Sequence, residues 1–242
     1  MKIDINNRKF KIAAVISGVV LVIAIALVSP IFYVQEVVVQ GNNRVTDSEI
    51  RASLALSSTS NILFFNTDDA RRRVMSNLYI GNVTFRRSLP GRLYVTVFER
   101  RPSAYVEHPP GTFLFLDEYG RVIDVRPYLI EALPLLEGLQ FTRWQLGEIL
   151  EVPDETDFAA VVHYTQLLIT HDLIHRITHM NVSDPSNIRI LVNYIEFHVG
   201  SVSDADTKVR TIAAMLDEIP DRLRGFVDLQ EVRSEYFFEL LQ

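Results

Sequence analysis

His171, His175 and His179 recur every four residues, a spacing that on one unbroken helix puts the first two within reach of a shared metal ion. Residues 178–182, Thr-His-Met-Asn-Val, read instead as a strand, which takes His179 off that helix. Asp172 projects about 100° away from the His171 face, so no acidic ligand sits at a helical partner position. The reading that fits better is histidines at a helix end, where they meet the C-terminal carbonyls. A second set, Asp117, Glu118 and Asp124, offers carboxylates of the kind a glycosidase pairs across a sugar linkage. They fall on and beside a turn, where Asp is expected to bond its own backbone, and no partner acid is identifiable. There is no Gly-x-Ser-x-Gly elbow, P-loop, Gly-x-Gly-x-x-Gly or His-Glu-x-x-His. With no cysteine in the chain, disulfides, thiolate metal sites and cysteine nucleophiles are excluded. The sequence therefore predicts no catalytic residue, no metal and no cofactor.

The elements around these residues point to a different kind of work. The 242 residues carry a net charge of −6. The first eleven hold +3, from Lys2, Arg8, Lys9 and Lys11 against Asp4, which leaves −9 on the rest. An acidic body argues against a nucleic-acid partner, which needs a basic face to neutralise phosphates. Residues 12–28 contain no charge, and residues 12–32 reach the roughly 20 apolar positions a helix needs to cross a bilayer. Tyr33 sits where an interfacial aromatic belongs. The run exceeds the roughly 7–15 residues of a signal-peptide core, and bulky Ile31, Phe32 and Tyr33 follow Pro30, so an uncleaved anchor is expected. Basic residues precede the span, so the tail (1–11) is expected in the cytoplasm, the helix at 12–33, and everything after it outside, a single-pass type II arrangement.

Beyond the anchor, residues 34–40 are rich in Val and end at Gly41-Asn42, which predicts a strand and a turn. Thr46 with Glu49 three residues later forms a capping box, with Ile50 and Leu54 on the apolar side of the helix it starts. Residues 67–69, Thr-Asp-Asp, are expected to cap a second helix over 69–78. Strands at 82–87 and 93–98 follow, separated by Leu89-Pro90-Gly91. The order β-α-α-β-β over about 34–101 is a small α+β unit.

These residues carry a resemblance. Val37-x-Val39-x-Gly41-Asn42-x-x-Val45, then Arg87-x-x-Pro90-x-x-Leu93-x-Val95-x-Val97-x-Glu99-Arg100-x-Pro102-x-Ala104, resemble the membrane-proximal POTRA domain of the FtsQ/DivIB family. The fold class this implies is α+β: one transmembrane helix, a POTRA domain, and a mixed β domain with two helices packed on its sheet. In the family, POTRA domains position partners and hold no active site. Val37, Val39, Val95 and Val97 also read as core or sheet positions, and Arg86 and Arg87 as solvated.

Residues 102–230 continue the resemblance. Residues 113–124 read as two strands around a turn at 117–120 and resemble the start of the family's β domain, as 133–138 do its next segment. Asp157 is expected to cap a helix over 158–174. Strands are expected at 177–182, 188–193 and 195–199, a helix at 205–216 and final strands at 226–229 and 236–240. Val199-Gly200 with Lys208, and Val227-Asp228-Leu229, also resemble the family. The resemblance implies a non-catalytic scaffold of cell division at the septum. Its partners would be FtsB/DivIC-like and FtsL-like bitopic proteins and the septal peptidoglycan synthase complex, with no small-molecule substrate. The partner is expected to add a strand to the sheet edge within the C-terminal tail (231–242), at Ser234, Tyr236, Phe237, Phe238 and Leu240. Alternation requires that Tyr236 and Phe238 share one face and Phe237 the other. An anchored POTRA protein of an export or assembly system, or an anchored wall hydrolase, are the alternatives. The first would show repeated POTRA units or a barrel and the second an acid pair or metal set.

Overall fold

The structure, a computed structural model, describes residues 5–108, 111–129, 132–218, 223–233, 236 and 238–240. Its contacts divide the chain into two units, 1–99 and 100–242.

The first unit opens with helix α1 (Ile5–Leu27). Its stretch Phe10–Leu27 is long and apolar enough to cross a membrane. The helix stops earlier than the apolar run suggests, because Pro30 disfavours helical backbone at Ser29. Ser29 is extended, and Pro30 starts a short 3₁₀ turn (Pro30–Phe32). Strand β1 (Glu36–Gln40) follows, then α2 (Asp47–Ser53), α3 (Thr67–Val74), β2 (Ile80–Ser88) and β3 (Arg92–Glu99). The sheet order is β1-β3-β2, with β1 parallel and β2 antiparallel to β3. Parallel neighbours need a crossover, and α2 and α3 supply it.

The capping box at α2 is complete. Glu49 N–H donates to Thr46 Oγ1 at 3.3 Å, and Thr46 N–H to Glu49 Oε2 at 2.8 Å. That hydroxyl and backbone N–H hold the Glu49 carboxyl below its usual range. At α3 the cap differs from expectation. Asn66, rather than residues 67–69, accepts from the Asp68 and Asp69 N–H groups, so the helix begins two residues early and ends at Val74. The alternating β3 residues Leu93, Val95 and Val97 are buried against Ile50, Leu54, Ala70 and Val74. Each such side chain stabilises the fold by about 1.5–3 kcal/mol.

Among the described residues the second unit is one nine-stranded sheet with two α-helices. In chain order it holds β4 (Ala104–Glu107), β5 (Phe113–Leu116), β6 (Val122–Arg126), β7 (Leu135–Glu137), α4 (Glu155–Thr170), β8 (Ile177–Asn181), β9 (Ile188–Val192), β10 (Ile195–Gly200), α5 (Ala205–Glu218), β11 (Gly225–Asp228) and β12 (Phe238–Leu240). Across the sheet the order is β12-β11-β10-β9-β8-β7-β4-β5-β6. The β7–β8 and β10–β11 pairs are parallel, and α4 and α5 are their crossovers. The main core lies between sheet and helices, from Val106, Leu114 and Leu116 through Met180, Ile190 and Phe197 to Val227, against Tyr164, Leu168, Val209 and Ile212. Tyr105, Phe115 and Leu133 form a separate small cluster.

Several expectations need correcting in this unit. Asp154, not Asp157, caps α4, accepting from the Thr156 and Asp157 N–H groups. The helix ends at Thr170, and Asp172, at φ +55°, breaks it. β11 lies one residue earlier than expected, at Gly225–Asp228, and β4 and β7 join the middle of the sheet without a clear sequence period.

Candidate interaction site

Strand β12 is the last strand at one side of the sheet. It pairs antiparallel with β11 through Gly225↔Leu240, Phe226↔Glu239 and Val227↔Phe238. Gly225 is required there, since a Cβ would collide with the Glu239 carbonyl oxygen and the Phe238 ring. Phe238 is half-buried against the main core, as is Tyr236, whose hydroxyl accepts from the Arg233 N–H at 2.9 Å. Glu239, the next residue along the strand, is exposed, as alternation dictates. Ser234 and Phe237 lie outside the described residues. The strand expected over 236–240 is thus represented by Phe238–Leu240, and Tyr236 precedes it. Two of the expected aromatic anchors, Tyr236 and Phe238, pack against their own domain.

A clamp sits behind this end of the sheet. Lys208 on α5 is buried, and its ammonium donates to Val199 O at 2.8 Å and Ser201 O at 3.1 Å. Tyr164 on α4 donates to Ser201 O at 2.8 Å. The two side chains satisfy carbonyls freed where β10 ends at Gly200, φ +63°. Burial pulls the Lys208 amine below its usual range, opposed by nearby Asp204, and burial pushes the Tyr164 hydroxyl well up.

The opposite edge, β6, is occupied. Val122 N–H donates to Glu148 O at 2.9 Å and Gly147 N–H to Val122 O at 2.7 Å. Further along, the Asp124 carboxylate accepts from the Val125 N–H at 2.8 Å and pairs with Arg126 at 2.6 Å. Asp117, buried in the preceding turn, accepts from the N–H groups of Tyr119 and Arg121, both at 2.9 Å. Its second oxygen lies 3.4 Å from Arg100. Burial and the neighbouring Arg121 charge lower the Arg100 pKa, and Asp117 opposes them. Asp117 and Asp124 are therefore engaged in backbone and arginine contacts, and Glu118 is half-buried beside them.

In the first unit most motif residues serve the fold. Gly41 has φ +82°, and a Cβ there would strike the Val97 carbonyl. Asn42 donates to Val45 O at 3.0 Å. Val37 and Val39 pack on the core. The Glu99 carboxylate accepts from three successive backbone N–H groups, Asn43, Arg44 and Val45, at 2.8–3.0 Å. Sequence gave no sign of this, because the partners lie more than fifty residues apart. Arg87 donates to Phe65 O at 2.7 Å. Arg86 lies over the Tyr94 ring, 4.0 Å from its centroid. Pro90 sits in the β2–β3 turn, and Pro102 is buried at the start of the second unit.

The three histidines part company. His171 ends α4 and pairs with Asp206 at 2.9 Å, His175 is in a 3₁₀ turn (Ile174–Arg176), and His179 is on β8. Among the described residues no three His, Asp or Glu side chains gather to hold a metal.

An apolar helix, a β-α-α-β-β unit and a mixed sheet with one occupied and one terminal edge define an anchored POTRA protein. Comparison with known proteins agrees. The family "POTRA domain, FtsQ-type" matches residues 32–100. The chain is 25% identical over 223 residues to the cell division protein DivIB of Clostridium botulinum strain Hall, covering 90% of this chain and 86% of that protein. To DivIB of Clostridium tetani it is 23% identical over 204 residues, 83% of this chain and 77% of the relative. To the cell division protein FtsQ of Streptomyces bingchenggensis it is 35% identical over 105 residues, 43% and 39%. The chain is thus similar over most of its length to DivIB cell division proteins, and its residues 32–100 match the FtsQ-type POTRA family.

Proposed function

We propose that the chain is a non-catalytic scaffold of the division machinery, anchored by α1 with its N-terminus in the cytoplasm and residues 34–242 outside. It holds FtsB/DivIC-like and FtsL-like bitopic proteins and through them acts on septal peptidoglycan synthesis. The observation that carries this reading is β12. It is a short terminal strand paired on one side with β11, in a chain similar over most of its length to cell division proteins. An extended partner segment would add beside it, with main-chain hydrogen bonds supplying affinity and alternate side chains supplying specificity. On this reading Glu239, exposed beside Phe238, meets the partner's side chains, while Tyr236 and Phe238 hold the strand in place.

The test is removal of residues 231–242. Capture of an FtsB/DivIC-type partner in a pull-down should be lost while the first unit stays folded by circular dichroism. Undiminished capture would reject the reading. A fluorescent fusion to the full chain should gather at mid-cell in dividing cells, and uniform membrane staining would count against it.

A further inference from the structure

The end of the first unit nearest α1 is built from two loops that the topology forces together. β1 leaves the membrane helix, so its start marks that end. β3 runs parallel to β1 and β2 antiparallel, so the β2–β3 turn returns to it. α2 runs back from the far end of β1, so the loop between α2 and α3 returns to it as well. Hydrogen bonds tie both loops to the chain just after α1. Asn61 Nδ2 donates to Leu27 O, the last residue of α1, at 2.8 Å. Val34 N–H donates to Ser60 O and Ile62 N–H to Phe32 O, both at 2.8 Å. Gln35 N–H donates to Gly91 O at 2.8 Å.

These loops carry unexpected side chains. Past the end of α1, the large apolar residues exposed in this unit are Val28 (60%), Ile31 (55%), Phe64 (65%), Leu89 (59%) and Phe98 (54%). Four of the five are at the α1 end: Val28 and Ile31 in the emerging chain, Phe64 in the α2–α3 loop and Leu89 at the β2–β3 turn. Only Phe98 lies at the far end, next to Glu99. A protein surface in water gains nothing from gathering apolar side chains at one end.

The membrane accounts for the gathering. The 18-residue stretch Phe10–Leu27, charged only at Lys11, rises about 27 Å, close to the hydrocarbon thickness of about 30 Å. Leu27 then stands at the outer hydrocarbon boundary. The headgroup layer beyond it is only about 5–7 Å deep, and Asn61 is in hydrogen-bond contact with Leu27. We infer that Ile31, Phe64 and Leu89 are embedded in the lipid interface, so that the domain is seated on the membrane surface rather than swinging from a tether. The ligand is the lipid surface itself, met by apolar insertion at the acyl boundary. Arg87 donates to Phe65 O and Arg92 pairs with Glu36 at 2.6 Å, so the apolar side chains rather than a free basic patch carry the contact. The consequence is a fixed orientation for the far end of the unit.

The inference rests on α1 spanning a membrane, and the experiment separates the two. The chain has no cysteine, so a single introduced thiol can carry one environment-sensitive fluorophore. Val19→Cys, Phe64→Cys, Leu89→Cys and Phe98→Cys are made in the full chain and reconstituted in phosphatidylcholine vesicles, with and without phosphatidylglycerol. All four side chains are exposed, so no core contact is lost. The probe at position 19 should be quenched by lipids spin-labelled deep in the acyl chain. Probes at 64 and 89 should be blue-shifted, quenched by lipids labelled near the headgroup and protected from aqueous iodide, and the probe at 98 should behave as in water. If 64 and 89 are as open to iodide as 98 while 19 is quenched, the seating is wrong and the anchor stands. If 19 itself is aqueous, the anchor and the seating fall together.

Discussion

At β6 the outermost strand of the nine-stranded sheet has its backbone groups taken by its own chain. Residues 147 and 148 bond Val122 on both sides, and Asp124 takes the Val125 N–H. At β12 the last strand is three residues long, and among the described residues it pairs with β11 alone. An exposed edge offers a template to any extended chain, and proteins cover such edges where pairing would be harmful. Among the described residues, the two edges of the sheet therefore differ: β6 has backbone groups at Val122 and Val125 taken by its own chain, and β12 is paired on one side. The asymmetry is built from different materials. The covered edge depends on charge, through Asp117, Arg100, Asp124 and Arg126. The uncovered edge depends on packing, through Gly225, Phe238 and the Lys208 clamp.

The largest expected effect is at the covered end. Asp117→Ala removes the acceptor of two turn N–H groups and leaves Arg100, only partly exposed, without its carboxylate. Breaking a buried pair from one side costs about 3 kcal/mol or more. The urea midpoint of the detergent-solubilised chain should fall accordingly, while partner capture per folded molecule stays unchanged. Loss of capture at full stability would mean the two ends are not separate in function.

Gly225→Val tests the other end. The new side chain must displace β12, because it meets the Glu239 carbonyl oxygen and the Phe238 ring. β12 is short, so the stability loss should be modest, about 1–2 kcal/mol. If β12 is the docking edge, misplacing it by about 1.4 kcal/mol weakens capture about tenfold. Asp124→Ala should do the reverse at β6. It frees the Val125 N–H for less than about 1 kcal/mol of stability and should create a second open edge, seen as concentration-dependent self-association in sedimentation velocity. A variant that stays monomeric would show that residues 147 and 148 guard β6 without help.

Local signals were legible in the sequence, and pairings over long separations were not. Thr46 and Glu49 form the cap their spacing announces, because both partners lie within one turn. The Glu99 cradle and the Arg100–Asp117 pair follow from tertiary contact, so the motif residues could be named but not their roles. Asp154 and Asp157 are both good caps, and the choice fell to the earlier one because the polar first turn of α4 hides the helix start from the apolar pattern. β4 and β7, four and three residues long, are too short to show an alternation. At β12 the aromatics Tyr236 and Phe238 drew attention as anchors, while the residue that permits the strand, Gly225, is silent in sequence because its partners come from a later strand.

A pH-dependent effect is expected at Lys208, whose burial lowers its pKa in the folded chain. In the unfolded chain the amine titrates at its ordinary value, near 10.5. Well below the lowered folded pKa both states are protonated, and the cost of burying the ammonium is present in full. As pH rises through the folded pKa the native chain releases its proton first. The unfolded state then binds more protons than the native state, and stability rises with pH until the unfolded amine also titrates. The neutral amine keeps hydrogens to donate to Val199 O and Ser201 O. Lys208→Met, which lacks both the charge and the donors, should be less stable by about 1–2 kcal/mol near neutral pH. The gap between the two proteins should widen as pH rises through the lowered folded pKa toward the unfolded one, read as diverging urea midpoints. A gap that stays constant over that range would mean the ammonium is as well solvated in the fold as in water, and that the clamp behind β10 is open to solvent. The same titration on Asp117→Ala should run parallel to the wild type, because the charge it removes belongs to the other edge.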